Sequence, residues 1–149
     1  MWKALALATA LSLAIAPAYA DDDDDDDKAT AAVTTRAEQL PDLVLGSPTE
    51  DFIVSQKEYT LRRGQPYRLK VTAAGFKEYM FRAPELFRDS WVRQIVIDNL
   101  EVHTNTFYGV EFDRQGTIEI FFTPQRTGFY EWFVPGFEKR GMTGTFQVK

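Results

Sequence analysis

Cysteine is absent from the 149 residues, and histidine occurs once, at His103. Without a thiol the chain forms no disulfide, has no thiolate nucleophile and offers no sulfur anion to a soft metal. The fold therefore has to stand on its core alone. Nor does the chain hold a Ser/His/acid set with plausible partners, a Gly-rich phosphate loop or a metal-ligand cluster suited to hydrolysis. These absences argue against an enzyme. Carboxylates such as Glu78, Glu85 and Asp89 lie close in sequence, but neighbouring acids on a loop are ordinary.

Long apolar runs are scarce too. The one present opens the chain, as MWKALALATALSLAIAPAYA, with an early Lys3, an apolar stretch from Ala4 to Ala16, and the small-x-small ending Ala18-Tyr19-Ala20. That is the layout of a secretory signal peptide, and the run is shorter than the roughly 20 residues of a spanning helix. Residues 1–20 are read as a leader cleaved after Ala20. The mature chain is expected to be periplasmic or secreted, with no membrane span.

Charge excess is lacking once one segment is set aside. Seven consecutive aspartates, Asp21–Asp27, carry the chain to a net charge of −5, whereas residues 28–149 hold 16 Lys and Arg against 15 Asp and Glu. A near-neutral domain lacks the clustered basic excess of a nucleic-acid surface. The run itself is either a solvated spacer or a weak oxygen-donor site for hard cations, and the spacer is favoured because an extended acidic run pre-organises no coordination geometry. Residues 21–50 are read as a disordered acidic segment and linker, with one helical turn near Glu38.

What is present in quantity is the strand signal. From about Phe52 onward β-branched and aromatic residues dominate, cut by Gly and Pro at short intervals. In YRLKVTA, Tyr67, Leu69 and Val71 alternate with Arg68, Lys70 and Thr72; in VRQIVID, Val92, Gln94 and Val96 alternate with Arg93, Ile95 and Ile97. FIVSQKEYTL, TIEIFFT, FYEWFV and TGTFQVK add further strands, and only RAPELFRDS suggests a helical turn. Seven or eight short strands over residues 51–149 predict an all-β sandwich.

The last of these segments carry a pattern. Gly128-Phe129-Tyr130 opens a strand, Val134-Pro135-Gly136 begins a turn, and Met142 precedes the closing strand. Upstream, YMFRAP sets Tyr79, Phe81 and Pro84 at the spacing of a His-x-Phe-x-x-Pro segment. This layout resembles the cupredoxin family, the Greek-key sandwiches of plastocyanin and other blue-copper proteins. The resemblance implies that Tyr79 stands at the first histidine ligand, Val134 at the cysteine, Phe137 at the second histidine and Met142 at the axial methionine.

Both histidine positions and the cysteine position are thus filled by other residues. Valine donates nothing, and a lone thioether does not hold Cu(II), so type 1 electron transfer is excluded on ligand grounds. No cofactor is expected, and copper could bind only through non-standard ligands. Val134, Phe137 and Met142 are expected to fill the pocket, and Trp132, Phe133 and Phe137 to offer an interaction face to a protein partner in the exported compartment. The alternative function is copper or iron handling, or a place in electron transfer, with Met80 and His103 as weak donors beside Met142.

Overall fold

The computed structural model describes residues 36–149. The leader, the aspartate run and residues 28–35 of the expected linker lie outside the described residues. Eleven strands follow in order: β1 (Glu38–Gln39), β2 (Leu43–Leu45), β3 (Glu58–Leu61), β4 (Tyr67–Ala73), β5 (Tyr79–Phe81), β6 (Ser90–Ile97), β7 (Leu100–Val102), β8 (Val110–Phe112), β9 (Gly116–Pro124), β10 (Gly128–Phe133) and β11 (Thr143–Val148). Their number exceeds the expected seven or eight because five of them are only two or three residues long. A short helix, α1 (Pro84–Arg88), falls where RAPELFRDS suggested a turn. Pro84 occupies its first turn, where a missing N–H costs nothing.

The strands form a six-stranded sheet, β1-β4-β9-β6-β7 with β2 also on β4, a three-stranded sheet, β10-β11-β3, and the ribbon β5-β8. Neighbours in the sheets are mostly distant in sequence, which is what the all-β Greek-key sandwich requires. One continuous cluster of buried side chains draws on all three layers, including Leu69, Val71, Ile120, Phe122, Trp132, Phe146 and Phe81. The alternation predicted for β4 is followed throughout, with Tyr67, Leu69, Val71 and Ala73 buried.

Two expectations are corrected. The linker reading of residues 36–50 fails: β1 and β2 pair in parallel with β4, and Leu43 and Leu45 are fully buried. No helical turn forms near Glu38. The segment is too short and too interrupted for periodicity to reveal it. Pro41 lacks an N–H and breaks the ladder, and Gln39 lies opposite Arg68 while Leu43 lies opposite Val71, so one extra residue is accommodated between the two short strands.

The second correction concerns β6. A β-bulge between Val92 and Gln94 changes the phase of the strand. Val92 and Ile95 face the core, opposite Phe122 and Ile120, and Ile97 is opposite Ile118, so the predicted pairing of Val92 with Val96 on one face does not hold. Trp91, Arg93 and Gln94 are left on the outer face. Gln94 is buried there and donates to Glu101 Oε1 at 3.2 Å.

Candidate functional site

The four positions of the expected metal pocket converge at one end of the sandwich. Val134-Pro135-Gly136-Phe137 is a tight turn in which the Phe137 N–H donates to the Val134 carbonyl at 2.9 Å. Gly136, at φ 85°, occupies the position that requires a left-handed residue. The loop closes on itself: the Val134 N–H donates to Met142 O at 3.0 Å and the Met142 N–H to Phe137 O at 3.2 Å. Gly141, at φ 90°, ends the intervening 3₁₀ turn, Glu138–Arg140. Backbone hydrogen bonds thus tie Val134, Phe137 and Met142 to one another.

Tyr79 closes the opposite wall. It is fully buried, and its ring lies edge-on to Phe137 with centroids 6.4 Å apart. Its hydroxyl donates to Asp51 O at 2.9 Å. A Cβ built on Gly75 would fall 1.9 Å from that oxygen, and one on Gly46 2.3 Å from it, so the hydroxyl sits in a cradle that only glycines leave open. Burial pushes the phenol above its ordinary value, and the Asp51 charge acts in the same direction against a hydrogen bond from the Lys77 backbone. Val134 and Met142 are buried beside this wall, while Phe137 is half-buried and packs edge-on against Phe52 at 5.0 Å. The Arg140 guanidinium lies over the Phe52 ring, 3.8 Å from its centroid.

The other predicted residues are dispersed. Trp132 is fully buried, with its indole N–H directed to Lys57 O at 3.3 Å, so it belongs to the core and not to an interaction face. Alternation along β10 carries Trp132 inward with Tyr130 and leaves Phe129 in solvent. Phe133 is half-buried, and the guanidinium of Arg82 lies 5.5 Å from its ring and 4.0 Å from that of Tyr108. His103 is exposed and pairs with Glu101 at 3.5 Å. Met80 lies on β5 opposite Glu111 and lines an open hollow with Phe76, Lys77, Glu78, Pro135 and Phe137. Phe76, 73% exposed, is the large apolar side chain at this end that the sequence reading missed. Phe52, Gly46, Gly75 and Asp51 were missed as well, because they act through contacts from two loops, β2–β3 and β4–β5, that carry no motif.

No protein-family model and no curated protein matches the chain. Among solved structures, the chain is similar to a copper nitrite reductase from Nitrosomonas europaea, with a TM-score of 0.60 and 6% identity over 81% of this chain and 52% of that one. It is likewise similar to a multicopper oxidase from Campylobacter jejuni, with a TM-score of 0.55 and 7% identity over 78% of this chain and 31% of that one. The chain has the cupredoxin fold. An auracyanin from Roseiflexus castenholzii is also similar, at 16% identity and a TM-score of 0.49 over 76% of this chain and 99% of that one. The chain spans about half the length of the reductase and about a third of that of the oxidase.

Copper does not fit the residues that this cupredoxin fold presents. Val134 has no donor atom, Phe137 offers only a ring, and the Tyr79 hydroxyl is already committed to Asp51 and held neutral by burial. Of these four residues Met142 alone carries a soft donor atom. Among the described residues no group of three or more His, Cys, Asp or Glu is placed to hold a metal ion. What occupies the end of the cupredoxin fold is a hydrophobic plug.

Proposed function

We propose that the chain is an exported, non-catalytic binding module whose plugged end contacts a protein partner. The observation that carries this reading is the closure of the end by Tyr79, Val134, Phe137 and Met142, with Phe76 left in solvent on the rim of the same hollow. A plug of this kind orders the loops without metal, and an exposed aromatic beside a half-buried one supplies the apolar anchor that interfaces use. Lys77 and Glu78 flank it with charge of both signs, as on a polar rim. Copper or iron handling through Met80, Met142 and His103 asks for one donor in the core and another in solvent.

Site-directed photocrosslinking in the native host tests the proposal. A crosslinking residue at position 76 is expected to yield a discrete adduct with one protein, and the same residue at 129, also exposed, is expected to yield none. Equal labelling from both positions, or no adduct from 76, refutes the interface. A copper titration of the purified chain that reveals a stoichiometric Cu(II) site at this end refutes the plug.

A further inference from the structure

We infer that the outer face of the six-stranded sheet carries a second binding site, for a carboxylate-bearing sugar unit such as a uronate. The site is a hollow of about 260 Å³ lined by Trp91, Arg93, Phe121, Thr123, Pro66 and Ala37, among others. Trp91 and Arg93 reach it from the outer face of β6, where ordinary alternation places both, and the bulge adds Gln94 beside them. Two of those three side chains, Trp91 and Arg93, line the hollow, and Gln94 is held down by its bond to Glu101.

The chemistry of the lining selects the ligand. Trp91 is 57% exposed although it is the largest apolar side chain of its strand, so it presents an indole face to solvent beside a concave surface. Phe121 forms a second aromatic wall, fixed by the Arg68 guanidinium lying 5.8 Å from its centroid. The Arg68 charge is itself paired with Glu119 at 2.6 Å. Arg93 has no carboxylate partner among the described residues, and neither does Arg63, which lies in the turn leading to Pro66. The site therefore joins flat apolar walls to uncompensated guanidinium charge, and a carboxylate is the anion that the planar fork matches in pairs.

Size narrows the choice. The hollow is smaller than the roughly 300–1,000 Å³ of pockets that enclose drug-sized ligands. Its capacity is one ring-sized unit. Trp91 and Arg93 lie two residues apart on one strand, a separation of about 7 Å. A ligand that satisfies both has to carry its apolar face and its carboxylate on a single ring. A uronate does so, with C–H groups on one face and the carboxyl group attached directly to the ring. An acidic peptide needs two residues to present the same pair.

Calorimetric titration of the full chain with trigalacturonate, neutral galactotriose and polyglutamate tests the site. Trigalacturonate is expected to bind at least about tenfold more tightly than either comparator. Arg93→Gln and Trp91→Ala are each expected to weaken that binding by about tenfold or more with an unchanged melting temperature, because both side chains are at the surface. Arg93→Lys, which retains charge and fold but not the fork, is expected to weaken it as well. Tryptophan emission supplies an independent readout in a chain carrying Trp2→Phe, since of the two remaining tryptophans Trp91 is exposed and Trp132 is buried: ligand should alter the solvent-exposed component, and Trp91→Phe should abolish the change. No binding of trigalacturonate, equal binding of galactotriose, or polyglutamate binding of the same strength that survives Trp91→Ala overturns the inference. The first outcome removes the site, the second the role of the carboxylate, and the third leaves only non-specific charge.

Discussion

At the scale of single residues, the plug depends on one oxygen atom and the two glycines around it. Removing the Tyr79 hydroxyl deletes a buried hydrogen bond, an effect of about 0.5–1.5 kcal/mol. Adding a methyl group at Gly75 has a larger effect, because the new Cβ would overlap that hydroxyl at 1.9 Å and the ring carbon bearing it at 3.0 Å. Gly75→Ala is expected to lower stability by about 2 kcal/mol or more, within the range of over-packed cores. In the Tyr79→Phe background the penalty should shrink without vanishing, since the ring carbon remains. A double-mutant cycle from denaturant melts measures the difference. Additive losses would show that Gly75 is not held to glycine by Tyr79. Of this arrangement the sequence revealed Tyr79, through its spacing to Phe81 and Pro84. The hydroxyl's partners were hidden because Asp51 acts through a backbone carbonyl, which any residue possesses.

At the scale of elements, the strands with sustained alternation were legible: β4, β9, β10 and β11 fall where period-two patterning placed them. The strands that escaped are those whose signal is shorter than the pattern needed to detect it. Leu43-Val44-Leu45 holds two fully buried leucines, yet three residues between Pro41 and Gly46 do not define a period. The bulge in β6 was equally hidden, because two outward residues in succession read as a break in alternation until the partner strand is known. A consequence for the edge of the sheet follows. Leu43 and Leu45 each contribute about 1.5–3 kcal/mol of apolar burial. Their loss would remove a substantial part of the roughly 5–15 kcal/mol that keeps a domain folded. A chain beginning at residue 51 is therefore expected to lack a cooperative thermal transition, whereas one beginning at residue 36 should melt cooperatively. Circular dichroism of the two truncations decides the matter, and a well-folded short form would restore the linker reading.

At the scale of the whole molecule, three phenols tie distant parts of the fold together and make it sensitive to alkali. Burial pushes Tyr59, Tyr79 and Tyr130 above the ordinary value of 10.0, assisted by the charges of Asp42, Asp51 and Asp89 respectively. Tyr59 stacks on Phe146 between β3 and β11, and Tyr130 donates to Arg126 O at 3.0 Å at the mouth of β10. Because the folded state keeps these groups protonated after the unfolded chain has released its protons, their contribution is intact below pH 10 and is lost as pH rises through the folded values. Stability should accordingly fall above pH 10, and part of the tyrosinate absorption should appear together with the loss of tertiary structure. Parallel absorbance and circular-dichroism titrations test this. Complete phenol ionisation in a chain that is still folded would contradict the assignment of these three hydroxyls to the interior.

The glycine cradle also has a consequence for descent. Gly46, at φ 71°, is held to glycine by its backbone whatever surrounds it, but Gly75 shows no such constraint, and a side chain there is blocked chiefly by the Tyr79 hydroxyl, with Asp51 Oδ1 next at 3.2 Å. Positions 75 and 79 should therefore change together as lineages diverge. A relative with a shorter residue at 79 is free to acquire a side chain at 75, and one that retains tyrosine at 79 is not. A side chain at 75 in a related sequence thus argues, from the sequence alone, against a tyrosine held at 79 in this cradle.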